Sequence, residues 1–347
     1  MKNTYISTKS LFVAIFALSV SPTSVFAKIL SPEGQAEYNA VFLQDPFQKL
    51  QAKARKDSNH QSDYLVQREE AISKAEIGRL FYQLAEASKT DAKDVFLDGA
   101  RRNLGKIQDN YFTTTDAKYL YAQLLLKYGQ ETSFEFYDRQ KAIESLKNLV
   151  KAKHAEAAAT LGYFFMRSMT SAEKLIEIPK ATFGTIQMYL EIGALHGSVR
   201  AVTLLGVLYL ETSDTENGKD GISRPLRDEE RALHLLNIAA KLGDPLAYRN
   251  LAYMYSNGIG VAKDLQKAKE FTSTQVALEN SLRKKYTNDW MKFCGGYFKK
   301  DLCTKMAVFP SVSPATVKGP IELLNYRIPN YLLESQSLEI PDHMETL

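Results

Sequence analysis

The chain has 347 residues, with 44 basic and 40 acidic side chains and a formal net charge of +4. Setting aside Lys2 and Lys9, which stand in a leader-like segment, 42 basic groups face 40 acidic ones, too even a balance to gather nucleic acid by its field. The short runs Arg101-Arg102 and Arg283-Lys284-Lys285 accordingly read as solvated helix faces, and the length is ample for a sizeable buried core.

At the N-terminus, Lys2 and Lys9 accompany an apolar run of ten residues, Leu11 to Val20, and Val25-Phe26-Ala27 fits the small-x-small cleavage rule. Ten residues fall short of the roughly twenty that span a bilayer. The expectation is an exported chain cleaved after Ala27, with an uncleaved anchor as the competing reading. No cysteine stands near that position to take a lipid, and no later apolar stretch is long enough for a membrane span.

Residues 28–115 carry helical periodicity over Glu37 to Lys56, Tyr64 to Ser88 and Val95 to Asp109, with a break at Asp45-Pro46 and a polar loop from Lys56 to Asp63. Two organisations fit: a divergent repeat pair, or a separate bundle capping the exposed end of a helical array.

From residue 116 onward the pattern becomes periodic. LKNLVKAKHAEA begins at Leu146, LEIGALHGSVRA at Leu190 and LNIAAKLGDPLA at Leu236, in steps of 44 and 46 residues. Each block leads into a second helix with aligned markers: Ala157, Leu161, Gly162, Phe165; Ala201, Leu205, Gly206, Tyr209; Ala247, Leu251, Ala252, Tyr255. Ala117, Tyr121, Ala122 and Leu125 form a weaker copy 40 residues before the first. Small residues let backbones approach and the bulky one fills the remaining gap, the requirement of two packed antiparallel helices per unit.

The stretch from Ala247 to Phe271 resembles the Sel1-like repeat family, a branch of the tetratricopeptide-like helical solenoids. Ala247, Leu251, Ala252, Tyr255, Gly258, Gly260, Val261, Asp264, Lys267 and Ala268 match the frame A-x-x-x-L-G-x-x-Y-x-x-G-x-G-V-x-x-D-x-x-K-A, with Ala252 in place of glycine. The resemblance extends over residues 117–285, weakly outside the last unit. It implies an all-α chain, an α/α superhelical solenoid of antiparallel helix pairs over 116–285, with a Pro-rich irregular C-terminal cap over 286–347. Asn257-Gly258 and Gly260 also have a local reading, since they tolerate the positive φ of a tight reversal. Val261 would then pack inward and Asp264 would cap the next helix. A phosphate-binding loop would need a following Lys-Ser/Thr and a preceding apolar strand, which are absent from the sequence.

Between the second and third blocks, Ser213 to Glu230 is rich in Asp, Glu, Asn and Gly but does not fit a calcium loop: counting from Asp214, no glutamate stands at the twelfth position. It reads as a surface loop. Cys294 and Cys303 flank Gly295-Gly296; in an exported chain the pair favours a disulfide, and a reactive thiol is the alternative. Beyond Met306, Pro310, Pro314, Pro320, Pro329 and Pro341 exclude a long helix. Ile321, Leu323, Leu324, Tyr326, Ile328, Tyr331, Leu332 and Leu333 nevertheless make the tail too apolar for a solvated linker, so extended segments and a short helix laid over the solenoid are expected.

No G-x-S-x-G elbow, H-E-x-x-H pair or glycine-rich nucleotide loop occurs, and the adjacent carboxylates Glu69-Glu70 and Glu229-Glu230 diverge by about 100° on a helix. The reading is a non-enzyme with no catalytic, cofactor or metal site. Binding remains. If Ala157, Leu161 and Phe165 face inward, Tyr163 turns to another face, with Val207 and Tyr253 as its equivalents and Arg249 beside them. Aromatic and arginine side chains make strong interface anchors, so Tyr163, Arg249 and Tyr253 are candidate protein contacts; padding between helices is the equal alternative for the tyrosines. Exported bacterial chains that resemble this one imply a periplasmic protein-binding role, either as an immunity protein or inhibitor of a toxic effector enzyme or as an envelope scaffold. An envelope hydrolase with an unrecognised site is the alternative from another class.

Overall fold

The computed structural model describes residues 30–54, 64–128, 139–170, 183–211, 228–309, 312–319 and 321. The expected leader with Ala27, the loop at 56–63, residues 213–227 of the insertion and residues 322–347 lie outside them. Among the described residues there are thirteen helices and no strand: α1 (Pro32–Phe42), α2 (Asp45–Ala54), α3 (Tyr64–Ala87), α4 (Ala92–Gly105), α5 (Thr115–Tyr128), α6 (Arg139–Lys151), α7 (Ala155–Thr170), α8 (Phe183–Leu195), α9 (Val199–Glu211), α10 (Glu229–Lys241), α11 (Pro245–Asn257), α12 (Leu265–Cys294) and α13 (Lys300–Met306). The chain is an all-α solenoid built from consecutive helix pairs.

The tightest pairs are α3 with α4, α5 with α6, α7 with α8, α9 with α10 and α11 with α12. This corrects the grouping suggested by the sequence blocks, which joined α6 to α7 and α8 to α9. The reason is visible at the Leu-Gly step. A Cβ on Gly162 of α7 would lie 2.5 Å from Leu190 Cδ2 of α8, and one on Gly206 of α9 would lie 2.9 Å from Leu236 Cγ of α10. The small residue therefore admits the helix that follows it. The same device occurs earlier: a Cβ on Gly78 of α3 would meet Leu104 Cγ of α4 at 2.4 Å. Ile77-Gly78-x-x-Phe81 thus repeats Leu161-Gly162-x-x-Phe165, and α3 with α4 packs as a further divergent unit.

Side-chain caps start these helices where the sequence supplies an acceptor. Asp228 accepts from Arg231 N, Asp244 from Leu246 N with Pro245 beginning the helix, and Asp264 from Lys267 N. In the last unit Gly258 closes α11 in the left-handed region at φ 72°, and Gly260 follows at φ 63°. Val261 is half-buried against the core.

Apolar side chains gather in two clusters. One is built by the inward faces of α5 to α11, from Ala122 and Leu146 to Leu251 and Met254, and takes in Ile321. The other joins α1 to α6 with Trp290, Cys294, Phe298, Cys303 and Met306 from the far end of the chain. Helix α12 connects them. Its 30 residues rise over about 45 Å, with Ala268 buried at one end and Trp290 and Cys294 at the other. The expected boundary between residues 285 and 286 accordingly falls inside a continuous helix, because TNDWMKFC contains no breaker before Gly295-Gly296.

Cys294 and Cys303 form a disulfide with Cα atoms 5.7 Å apart, folding α13 back on α12. This hairpin rests on α3 and its neighbours. Phe298 lies 5.1 Å from the Phe47 ring, Trp290 Nε1 donates to Cys303 O at 2.9 Å, and Gln83 Nε2 donates to Met306 O and Val308 O. Beyond α13 the described tail has no helix, in keeping with its prolines.

Candidate protein-binding face

Counted from the small residue of the Leu-Gly step, positions six before, two or three before and one after lie on one face of the marker helices: Asp116, Tyr119 and Gln123 on α5; Glu156, Thr160 and Tyr163 on α7; Arg200, Thr203 and Val207 on α9; Leu246, Arg249 and Tyr253 on α11; on α3 the same face carries Glu76, Arg79 and Gln83, one turn later, with Arg79 at the place of Tyr253. Spacings of three and four residues keep each set on one helix face.

Neighbouring marker helices are laced together along this stripe. Tyr119 Oη and Thr160 Oγ1 are 2.7 Å apart, Gln123 Nε2 donates to Tyr119 Oη at 3.0 Å, and His154 Nε2 stands 3.4 Å from Asp116 Oδ1. Ser198, whose hydroxyl accepts from Ala201 N at the start of α9, donates to Glu156 Oε1 at 2.6 Å. Thr203 donates to the Asp244 carboxylate. The contacts of His154 with Asp116, Ser198 with Glu156 and Asp244 with Thr203 reach from the residue before one marker helix to the stripe of the preceding one, so the residues that start these helices also set the spacing between repeats. Burial raises the Tyr119 and Asp244 pKa values, with the hydrogen bonds from Thr203 and Leu246 opposing the shift at Asp244.

The two ends of the stripe differ. On α3 the chain's own C-terminal hairpin covers it: Arg79 stacks 4.5 Å from the Phe293 ring centroid, Tyr297 Oη donates to Glu76 Oε2 at 2.7 Å, and Gln83 holds the carbonyls after α13. Burial lowers the Arg79 pKa against the opposing pull of Asp116 and Asp289, and the guanidinium remains charged. On α11, Leu246 is 38% and Tyr253 57% exposed, and Arg249 is exposed beside them.

Tyr163, Arg249 and Tyr253 therefore do not share one environment. Tyr163 is half-buried with the Arg200 guanidinium 5.3 Å from its ring centroid, so it is part of the lacing. Arg249 and Tyr253 stand one turn apart on the open end. Sequence reasoning missed Leu246 on the same turn of the stripe, although its register with Glu156 and Arg200 was available. It also missed the covering of α3, for which the aromatic residues around the cysteines were the only signal.

Among the described residues, no group of three or more His, Cys, Asp or Glu is placed to hold a metal ion, and no helix is long and apolar enough to cross a membrane. The stripe offers aromatic, aliphatic and guanidinium contacts over a protein-sized length, which suits a macromolecular surface.

The Sel1 repeat family model matches residues 215–244 and 245–273, the second over α11 and the start of α12. Residues 215–273 match two Sel1 repeats. Sel1 repeats generally mediate protein–protein interaction and are typically non-catalytic scaffolds. Among solved structures, a Sel1 repeat protein from Oxalobacter formigenes is 16% identical, with a TM-score of 0.40, covering 69% of this chain and 89% of that one. A protective antigen present in uropathogenic Escherichia coli strains, displaying an SLR fold, is 18% identical with a TM-score of 0.41, covering 82% of this chain and 61% of its own. No functionally curated protein matches the chain.

Proposed function

We propose that this Sel1-repeat chain is an exported, periplasmic protein-binding module, and that its sharper role is immunity: holding and neutralising a secreted toxic effector enzyme. The observation that carries the binding reading is the open end of the stripe, where Leu246, Arg249 and Tyr253 present aliphatic, guanidinium and aromatic surface on one face of α11. The disulfide between Cys294 and Cys303 supports an oxidising compartment, in line with the leader-like sequence ending at Ala27. The near-even charge disfavours a nucleic-acid partner.

The test is capture from envelope extracts with the mature protein and with Arg249→Ala/Tyr253→Ala. A stoichiometric partner retained by the first and lost by the second, with helix content equal, supports the reading. A partner that is an enzyme toxic to the envelope, and whose activity falls on binding, supports immunity. Equal capture by both proteins removes α11 from the interface. Turnover of a cell-wall or lipid substrate that persists through purification, without a partner, overturns the binding role.

A further inference from the structure

The hairpin of α12 and α13 covers the later turns of α3 and leaves the earlier ones open. Its contacts follow one another along the helix: the carbonyls of Met306 and Val308 at Gln83, Phe293 over Arg79, Tyr297 at Glu76. The closed tip, Gly295 to Lys299, therefore points toward the start of α3. One turn beyond Glu76, Ile72 is exposed, and two turns further on the same face Leu65 is 67% exposed, with exposed Arg68 between them. At the helix start, exposed Tyr64 meets the Phe112 ring edge to face at 4.5 Å, and Tyr111 meets it at 5.4 Å. Tyr111 is 90% exposed. Its loop is fixed by Phe112 N donating to Asn110 Oδ1 at 2.9 Å and by Thr113 Oγ1 donating to Ile107 O, so the outward ring is a built feature.

The charge along this edge is one-sided. Residues 291–306 hold Lys292, Lys299, Lys300 and Lys305 against Asp301. All four lysines are exposed, and none is in an ion pair among the described residues. The acids of the open α3 segment are engaged instead: Glu69 with Lys53 at 3.3 Å, Glu70 with Lys74, and Glu76 with Tyr297. Against Arg68 and the four lysines stand the exposed Asp109 and Asp301, so a positive excess remains in a chain whose overall charge is nearly even. Protein interface cores are depleted in lysine and packed as pockets. Here hydrated ammonium groups on long stems border apolar side chains that project singly from a helix start and a loop tip. That pairing suits a lipid surface: tyrosine settles at headgroup level, aliphatic side chains reach the acyl boundary, and lysines are drawn to anionic lipid.

We propose that this edge of the first units, Leu65, Ile72 and Tyr111 with Lys299 and Lys300, docks on a bilayer surface rich in anionic phospholipid. The contact is peripheral, since no helix among the described residues is long and apolar enough to cross a membrane. Docking in this way leaves Leu246, Arg249 and Tyr253 of the last unit available to a protein partner. The inference goes beyond the protein-binding reading and does not depend on it, because the two use different helices.

The test is sedimentation of the mature protein, from Lys28, with vesicles of phosphatidylcholine alone and of phosphatidylcholine and phosphatidylglycerol in equal parts. The expected result is at least tenfold stronger binding to the anionic vesicles, falling at least tenfold as salt rises from about 0.05 M to about 0.5 M. Lys299→Gln/Lys300→Gln should weaken binding at least tenfold, at about fivefold per lysine. Lys263→Gln/Lys269→Gln, which removes equal charge near the start of α12, should change it less than twofold. Trp290 is the only tryptophan and is buried, so Tyr111→Trp reports the loop: its added emission should shift to the blue on anionic vesicles. Equal binding to both kinds of vesicle, or to neither with helix content intact, overturns the proposal. Equal losses in the two lysine pairs would reduce it to net charge, and binding without an emission shift would take the loop out of the contact; either result overturns the docking edge. Partner capture lost in Lys299→Gln/Lys300→Gln while vesicle binding persists would assign the edge to a protein and overturn the lipid. Arg249→Ala/Tyr253→Ala should bind vesicles as the unsubstituted protein does, so failure of lipid docking and failure of partner capture are read apart.

Discussion

Helices α3 and α11 occupy corresponding places in their units, yet at the shared position of Arg79 and Tyr253 one is covered and the other open, although Ile72, a turn and more before Arg79, is exposed as Leu246 is. On α3, Glu76, Arg79 and Gln83 are engaged by Tyr297, Phe293 and the carbonyls of Met306 and Val308. On α11, Leu246, Arg249 and Tyr253 face outward. The difference comes from more than two hundred residues away in sequence: α12 is long enough to carry its disulfide-closed end from the last unit to the first. A repeat position is therefore made structural or available by what the rest of the chain lays over it.

The largest test of that contrast removes the covering contact. Phe298 is buried against Phe47, and deletion of a buried aromatic side chain costs about 3–5 kcal/mol. Phe298→Ala should lower stability by that amount and speed amide exchange in α3 and α13, leaving α9 to α11 protected at their own level. An equal loss of protection in every helix would mean that the hairpin serves the whole solenoid and that the two ends are not separable.

The next effect sharpens the other end, where the repeat core holds an ionisable group. Glu191 of α8 is 1% exposed; Gln187 donates to it at 2.6 Å and Arg231 attracts it, with the Tyr209 hydroxyl nearby. Burial outweighs these and pushes its pKa up to about 7 from 4.5. Because the folded-state value is raised, the favourable contribution is full below pH 4.5 and is lost as pH rises through 7. The shift corresponds to about 3 kcal/mol. Glu191→Gln should flatten this part of the stability profile between pH 4 and pH 8, followed by urea midpoints; an unchanged slope would show that the carboxylate is charged without penalty. The loss should appear in α8 to α10 and spare α3.

Gly162→Ala gives a smaller effect. An exposed helical glycine gains about 1 kcal/mol on becoming alanine, but here the new Cβ would lie 2.5 Å from Leu190. Overpacking of this kind costs about 1–3 kcal/mol, so a net loss of about 1 kcal/mol is expected. Ala252 in α11 already has a methyl at the equivalent place, and Ala252→Gly should also destabilise. Losses at both sites, read by thermal unfolding, would show that one marker position uses two packings; opposite signs would show that both sites prefer the same residue and overturn that reading.

Much of this architecture was legible because it is local. The spacing of Leu161-Gly162, Leu205-Gly206 and Leu251-Ala252 announces helix pairs, and Asp264 announces its cap. The α3 unit was hidden by the substitutions at Ser73 and Ile77, although Gly78 and Phe81 preserve the pattern. The partner of each marker helix was misjudged, because a glycine states that something approaches closely without stating from which side. The covering of α3 by Phe293 and Tyr297 depends on the reach of α12, and no periodicity within residues 64–88 could have reported it. The same limit applies to the candidate contacts: Tyr163 and Tyr253 share a register, but Arg200 over one ring distinguishes them.

That distinction makes the smallest expected stability effect the most selective for function. Tyr163→Ala would remove a half-buried ring and its guanidinium contact, a loss of about 1–2 kcal/mol, so weakened capture by that variant would confound binding with packing. Arg249→Ala and Tyr253→Ala remove exposed side chains from α11 and should change stability by about 0.5 kcal/mol or less. Equilibrium unfolding and partner capture measured on the same preparations then separate the two properties. Capture lost at unchanged stability places the partner on the open end of the stripe. If both variants keep full capture while Tyr163→Ala loses it in proportion to its unfolding, the open end is merely a solvated terminus and the contrast with α3 has no bearing on recognition.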